Sequence, residues 1–324
     1  MNVQCVVYVT DEGYFFPTAV SALQARKEAL SSTDIVIVAT EVFRNKSNAE
    51  EFCRDAKIVL VDGAQFLAEK FAKIDQRDFS GRVSVAAMGR LLLSDVLPSH
   101  YQQVIYIDGD TQIIGKISPL EQIHVPAGKI LAALDYISIV QRARGNASHR
   151  YFNSGVLKFD RSDWIGQDAF DYFVTHGGEL HDQGALNAVA GDGLILMSNR
   201  WNFPRQFLHL AGTRPSIIHF ASHPKPWDGV FFPWSQAETA TYRQALRENQ
   251  SLEPFVRKIS TARRCAYKVR SLGDRIACRI PFFELAAYQS ELRRVVLDWQ
   301  CDDALFAPSD AFSSLVPSPV STMQ

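Results

Sequence analysis

Short apolar runs rich in β-branched residues punctuate the chain at 6–9, 35–38, 58–61, 104–107, 130–134, 194–197 and 217–220. Polar residues do not alternate within them, a pattern that suits strands covered on both faces. Helix-length stretches lie between. Residues 16–30 follow the first strand, and residues 82–96 place Val85, Met88, Leu92 and Val96 at helical spacing. Residues 163–176 follow Asp160-Arg161-Ser162, which offers capping side chains. Strand–helix alternation predicts an α/β fold with a mainly parallel, doubly wound sheet. Ligands of such sheets bind beyond the carboxyl ends of the strands, so polar residues that follow a strand are the candidates for chemistry.

Past residue 250 the pattern changes. Residues 257–294 carry ten basic and three acidic side chains, a local charge of +7, interleaved with Ile259, Tyr267, Val269, Leu272 and Ile276. The last stretch, 307–324, is rich in Ser and Pro and is expected to be disordered. The expected organisation is a catalytic body over 1–250, a basic helical segment over 251–306, and the tail. No internal repeat is evident.

Composition narrows the function classes. The 324 residues are 47% hydrophobic, which belongs to a globular protein with a substantial core and excludes disordered or collagen-like chains. A net charge of −1 argues against a globally basic nucleic-acid binder, although the remainder of the chain is −8 once the basic segment is set aside. Five scattered cysteines without a C-x-x-C motif fit a reducing compartment and neither a disulfide framework nor a thiolate zinc site. The N-terminus lacks a basic region and reads as a first strand, and no run reaches the ~18 apolar residues of a spanning helix. The expected location is the cytoplasm.

The central motif is Asp108-Gly109-Asp110, directly after the apolar run 104–107. Residues two apart on an extended chain point to one side, so both carboxylates can converge on a point. Gly109 permits close approach. Two carboxylates at a strand end suit a hard divalent cation, Mn2+ or Mg2+, bridging to a diphosphate. An isolated Asp-x-Asp is also an ordinary polar turn.

Further blocks occur in order: Tyr8-Val9-Thr10-Asp11, Gly89-Arg90-Leu91, Ala133-Leu134-Asp135, Phe152-Asn153-Ser154-Gly155-Val156, His181-Asp182-Gln183-Gly184, Arg200-Trp201-Asn202, Ile218-His219-Phe220 and Lys225-Pro226-Trp227. Over about residues 3–230 the chain resembles the retaining glycosyltransferases of family 8, the glycogenin and lipopolysaccharide galactosyltransferase type. The resemblance implies a GT-A-like single Rossmann-type sheet flanked by helices. It implies a metal held by Asp108, Asp110 and His219, with Mn2+ or Mg2+ as cofactor. It places the nucleoside of a UDP-sugar near Val9, Thr10, Asp11 and Tyr14, and the diphosphate near Arg90 and Lys225. It assigns the transferred hexose to Asp135, Asn153, Ser154, Asp182 and Gln183, with Asp108, Gly109, Trp201 and Asn202 also around the donor. Asp182, Gln183 and Asn153 stand closest to the chemistry.

Those assignments make physical sense. An imidazole is a reasonable third ligand beside two carboxylates. Lys225 and Arg90 would offset charge on a departing diphosphate. The amide of Gln183 is a poor nucleophile, which favours same-face attack over a covalent adduct. Each residue also has a plain structural alternative: Asp182 as a helix cap, Asp135 as a turn residue, Arg90 and Lys225 as solvated cations. Two departures from the family pattern stand out. Gly13 supplies no side chain where relatives often carry Asn, and Ser222 replaces a frequent glycine between the histidine and the lysine.

The acceptor is expected to be a saccharide or lipid-linked oligosaccharide, contacted by loops such as 137–150 and 203–215. The segment 257–294 could dock on an anionic membrane surface, placing the protein peripherally on the inner face of the plasma membrane. Nucleic acid is not an expected partner. The competing classes are a nucleotidyltransferase, which would normally show a Gly-rich basic loop after the first strand, and a non-catalytic sugar-nucleotide binder.

Overall fold

A computed structural model describes residues 3–74, 85–177, 181–278 and 283–300. The strands are β1 Gln4–Thr10, β2 Thr33–Ala39, β3 Val59–Asp62, β4 Gln103–Ile107, β5 Thr111–Ile113, β6 Ile130–Leu134, β7 Phe152–Asp160, β8 Leu194–Leu196, β9 Phe203–Pro204 and β10 Ile217–His219. The helices are α1 Phe15–Glu28, α2 Lys46–Asp55, α3 Ala64–Phe71, α4 Leu93–Val96, α5 Ser118–Glu121, α6 Tyr136–Ala143, α7 Gly166–His176, α8 His181–Ala190, α9 Gln236–Glu248, α10 Thr261–Ala277 and α11 Phe283–Gln300.

Seven strands form one sheet in the order β3-β2-β1-β4-β7-β6-β8. Four of its six pairings are parallel and those of β7 are antiparallel, so the expected mainly parallel α/β sheet is present. Each predicted apolar run coincides with a strand to within a residue. In the central strands the cause is burial on both faces, with Val6, Val7, Ile35, Val36, Val104 and Ile105 all fully buried, whereas the edge strand β3 is only partly covered, Val59 being 38% exposed. Two cores result, one on each side of the sheet.

Three features of the fold were not legible in the chain. Strand β7 is broken by Asn153, Ser154, Gly155 and Lys158, which hide its apolar run. Its Lys158 is fully buried, its Nζ donating to the carbonyls of Leu120 and Glu121 at 2.8 Å each. Burial pushes that ammonium down to about 7. In the small sheet β5-β10-β9 only β10 shows as an apolar run; β5 and β9 are three and two residues long, too short for any periodicity, so the sheet itself does not show. The helix expected over 82–96 is instead a 3-10 helix at Val85–Leu92 followed by α4, with residues 82–84 outside those described. There the Nε of Arg90 donates to the Ala87 carbonyl at 3.1 Å, and Gly89 lies so close to β1 that a Cβ would come within 2.8 Å of Val9.

Beyond residue 250 both helices form, with different surroundings. In α11, Val295, Val296 and Trp299 are buried in the same core as Leu134 and Phe207. In α10 no residue is buried. Among the described residues, no helix is long and apolar enough to cross a membrane. The tail 307–324 lies outside the described residues.

Candidate functional site

The small sheet explains how distant segments meet. Strand β5 begins one residue after Asp110, and β10 pairs with it so that His219 stands opposite Thr111. The Phe220 N–H donates to the Asp110 carbonyl at 2.9 Å, closing the junction. On the other side β10 runs parallel to β9, which delivers Asn202. In the main sheet the pairing of β6 with β7 shifts between Ala132 and Ala133, leaving Ser154, Gly155 and Val156 without partners on β6. Such bulges re-aim side chains beside binding sites. Here the bulge turns Asn153 and Ser154 toward the Asp-x-Asp turn.

Asp108, Asp110 and His219 present one ligand atom each within 4.8 Å of one another. His219 Nε2 lies 3.2 Å from Asp110 Oδ1 and 3.6 Å from Asp108 Oδ2. Its Nδ1 lies 3.0 Å from Asn202 Oδ1 and 3.1 Å from Asn153 Oδ1. The Gly155 N–H donates to that same Asn153 oxygen at 2.9 Å, which fixes the amide's orientation because a backbone N–H can only donate. Nδ1 must therefore carry the proton, and in the neutral ring the lone pair of Nε2 faces the two carboxylates. Three lone pairs aimed at one point call for a positive charge between them, either a metal ion or a proton on Nε2. The donor set, two hard oxygens and one imidazole nitrogen, fits Mn2+ or Mg2+. A Cβ on Gly155 would run into the His219 ring, so glycine is needed there for close packing.

Two buried cations brace the cluster. The guanidinium of Arg90 meets Asp108 Oδ1 at 2.9 Å and Asp182 Oδ2 at 3.2 Å, and donates to the Ser154 carbonyl and hydroxyl at 3.0 and 3.1 Å. Lys225 Nζ lies 2.5 Å from Asp110 Oδ2 and donates to the Phe220 carbonyl at 2.7 Å. Burial opposes the charge on Asp110, but Lys225, joined by His219 when its Nε2 carries a proton, outweighs it and holds this carboxyl well below the usual range. Burial pushes Asp108 up, with Arg90 pulling the other way and the neighbouring Asp110 adding to the rise.

A hydrogen-bonded network continues from this charged floor. Asp135 caps α6 through Ile137 N–H at 2.9 Å, while its other oxygen accepts from Asn153 at 3.1 Å and Gln183 at 3.3 Å. Gln183 Oε1 accepts from the Asn153 amide at 2.9 Å. Asp135 is thus both a cap and a member of the site. Asp182 is not a helix cap, since α8 already includes it; its carboxylate is taken by Arg90 and by the Ser154 hydroxyl at 3.0 Å. Tyr14 reaches toward Asp110, its Oη 3.5 Å from Oδ2, and its ring stands edge-on to Trp227.

Other expected residues are placed differently. Trp201 is 1% exposed in the core, while its neighbour Asn202 faces the cluster. The Thr10 hydroxyl donates to the Asp11 carbonyl and accepts from Thr18. Asp11 caps the turn Glu12–Tyr14 by accepting from Tyr14 N–H at 2.8 Å. Val9 packs half-buried against the core. Gly109 is required because a Cβ would overlap Thr18 of α1. Ser222 sits at φ 65°, in the left-handed region where glycine is favoured, so this serine adopts a glycine-type backbone.

Three neighbours of the site have no role assigned from the sequence. Tyr106 donates to Asp108 Oδ1 at 2.5 Å and lies under the Arg90 guanidinium. Its position two residues before Asp108 on one strand face was the available signal. Arg205 donates to the carbonyls of Ala221 at 2.8 Å and His223 at 3.1 Å, tying down the loop that carries Lys225. Burial pushes this guanidinium down to about 10. Arg257 reaches the first βα turn from the far end of the chain; a Cβ on Gly13 would overlap its guanidinium.

Known proteins resemble this chain in sequence and in fold. The profile of glycosyl transferase family 8 matches residues 5–230. General stress protein A of Bacillus subtilis is 26% identical over 175 residues, 46% of this chain and 61% of its own length. Lipopolysaccharide glucosyltransferase WaaO of Escherichia coli is 22% identical over 263 residues, covering 72% of this chain and 75% of the relative. The chain spans 61% and 38% of the first two curated relatives, so those matches describe part of each. Among solved structures, a galactosyltransferase LgtC in complex with donor and acceptor sugar analogues superposes with a TM-score of 0.62 at 18% identity, covering 76% of this chain and all of that one. The profile match, which spans the Asp-x-Asp turn, the β7 bulge and the His219–Lys225 loop, shows that the chain belongs to glycosyl transferase family 8.

Proposed function

We propose that the protein is a metal-dependent retaining hexosyltransferase that takes galactose or glucose from a UDP-sugar. The observation that carries this reading is the convergence of Asp108, Asp110 and His219 next to the Asp135–Asn153–Gln183 network, a cation site abutting a set of sugar-type hydrogen-bonding groups. A divalent cation at the three ligands would neutralise the donor diphosphate as it departs. Lys225 would share that charge, exchanging part of its contact with Asp110 for a phosphate oxygen. Tyr14 and Trp227 would wall the nucleotide side. Asp135, Asn153 and Gln183 would orient the hexose hydroxyls.

The surroundings of the reacting centre favour same-face attack over a covalent adduct. Asp182 is buried and clamped by Arg90 and Ser154, which leaves it unsuited as a nucleophile. Gln183 is an amide. Asp135 already accepts three hydrogen bonds. Donor hydrolysis with Mn2+ and UDP-galactose or UDP-glucose is expected, and adding a chelator should abolish it. No hydrolysis together with no metal-dependent UDP binding would sink this reading.

The names of the relatives point to a saccharide or glycolipid acceptor, as in lipopolysaccharide or other surface-polysaccharide synthesis. Within this reading, residues 1–250 are the catalytic body and 251–306 the basic helical segment. The part of that segment offered to a membrane is α10. Its Tyr267 and Ser271 pack against the loop 223–232, by ring contacts to His223 and Phe231 and by accepting the Phe232 N–H. Val269, Leu272 and Ile276 point outward at 72%, 59% and 47% exposure, flanked by Arg263, Arg264, Lys268 and Arg275. Such a face suits an anionic bilayer surface, with each basic residue contributing about 1 kcal/mol. Flotation with vesicles containing anionic lipid is the measurement. The triple substitution of Val269, Leu272 and Ile276 by Ser is expected to release the protein while leaving donor hydrolysis intact; wild-type protein that stays unbound at low salt overturns the docking. Truncation at residue 255 is a poorer test, because it also removes Val295, Val296 and Trp299 from the core.

A further inference from the structure

Gly13 and Arg257 form a pair that the donor-site residues described above leave unexplained. Gly13 is the middle residue of the 3-10 turn Glu12–Tyr14 that follows β1. Its neighbours face different ways. Glu12 turns from the cleft and accepts from the backbone and side chain of Asn45 at 2.9 and 3.0 Å. Tyr14 turns into the cleft toward Asp110. Between them, where residue 13 would project a side chain, lies the guanidinium of Arg257: its central carbon and both terminal nitrogens all fall where a Cβ would stand. A planar group placed flat over a glycine needs that glycine.

Arg257 is held there from behind. Phe255, two residues earlier, is buried with its ring 4.5 Å from that of Phe15 at the start of α1 and 6.2 Å from that of Phe43. Leu252 is fully buried as well. The backbone entering the basic segment is therefore pinned beneath the first βα turn, at the carboxyl end of β1 where open α/β sheets bind ligands. Arg257 itself is exposed, and among the described residues it makes no hydrogen bond or ion pair. In this it differs from the other two cations of the site, since Arg90 is committed to Asp108 and Asp182 and Lys225 to Asp110.

We infer that Arg257 is a donor-binding residue, supplying from the C-terminal segment the side chain that position 13 lacks and contacting the nucleoside part of a nucleoside diphosphate. A guanidinium offers a flat face to stack on a base and N–H donors for base or ribose oxygens, with five fixed donors and no carboxylate to satisfy first. The diphosphate end of the cleft already has Lys225 and the cation ligands, whereas the Gly13 end has no other cation from the residues assigned to the site. The C-terminal segment would then belong to the donor site as well as to any surface that α10 meets.

This inference rests on the UDP-sugar reading, and the experiment separates the two. Binding of UDP, and of pyrophosphate as a nucleoside-free probe, is measured in Mn2+ by calorimetry for the full chain. Arg257→Ala is expected to raise the Kd for UDP roughly tenfold, to leave that for pyrophosphate unchanged, and to leave the thermal stability of the free protein unchanged. Gly13→Ala, which displaces only the far end of a flexible side chain, is expected to weaken UDP binding in the presence of Arg257 and to have no further effect in Arg257→Ala, the coupling that a double-mutant cycle reads. Arg257→Lys, which keeps the charge and loses the plane, should recover little. Equal UDP affinity for wild type and Arg257→Ala overturns the inference and leaves the donor reading standing. Equal weakening of UDP and pyrophosphate overturns the nucleoside contact in favour of a phosphate contact. Absence of any UDP binding by the wild type overturns both.

Discussion

Asp110→Asn is expected to lower donor turnover on the order of a thousandfold, with the far-ultraviolet circular dichroism spectrum unchanged. Asp110 has three duties: it faces His219 Nε2 at 3.2 Å, it receives Lys225 at 2.5 Å, and it shares the proposed cation with Asp108. An amide keeps the shape and still accepts from Lys225, but it removes one of the two charges that make a divalent cation favourable. The fold is expected to tolerate the change because losing Lys225's counter-charge is offset by relief of the repulsion between two buried carboxylates. Steady-state hydrolysis of the donor and titration with Mn2+ measure the two consequences together. Unchanged turnover would remove the metal-site assignment, whatever the spectrum shows.

Arg90→Met should act first on stability. The side chains of Arg90 and Asp182 are 7% and 8% exposed, and Arg90 also pairs with Asp108. Removing a buried partner strands the charges it served, at a cost of about 3–5 kcal/mol. The sign of the pH dependence follows from Asp108, whose carboxyl burial already pushes up despite Arg90. Without Arg90 it rises further. A carboxyl whose folded-state pKa exceeds its unfolded value contributes stability at low pH and loses it as pH rises through the folded-state value. The deficit of the variant relative to wild type should therefore be largest near neutrality and shrink as the medium is acidified. Urea unfolding of metal-free protein at several pH values measures it. A deficit that is absent, or that grows on acidification, would show that Arg90 is not the clamp. Arg90→Lys should rescue little, since one ammonium cannot reach Asp108, Asp182 and Ser154 together.

Much of the site could be seen in the chain because its residues sit in short blocks directly after apolar runs. Asp108-Gly109-Asp110 follows β4, Asp135 follows β6, and His219 ends β10. What stayed hidden was how those residues are used. Along the chain Arg90 reads as a donor contact and Asp182 as a residue near the chemistry or a helix cap, and nothing there shows that the two pair with each other in a buried ion pair. Trp201 looks like a ligand contact and is a core residue. Arg205 and Arg257 carry no motif, and Tyr106 opens the block Tyr106-Ile107-Asp108-Gly109-Asp110 without a role of its own there; only their contacts single them out.

The residue pattern carries the α/β class, most of the strands and the chemical kinds of group at their ends, because strands covered on both faces are largely apolar and ligand sites follow strand ends. Tertiary structure alone decided the pairing of His219 with Thr111, the bulge that turns Asn153 toward the cluster, and the return of Arg257 to Gly13. The physical reason is separation along the chain. Such contacts join residues tens to hundreds of positions apart through strands of two or three residues and single side chains, which leave no period to read. Their geometry is set by the packing of the whole fold, where close packing leaves one place for each side chain.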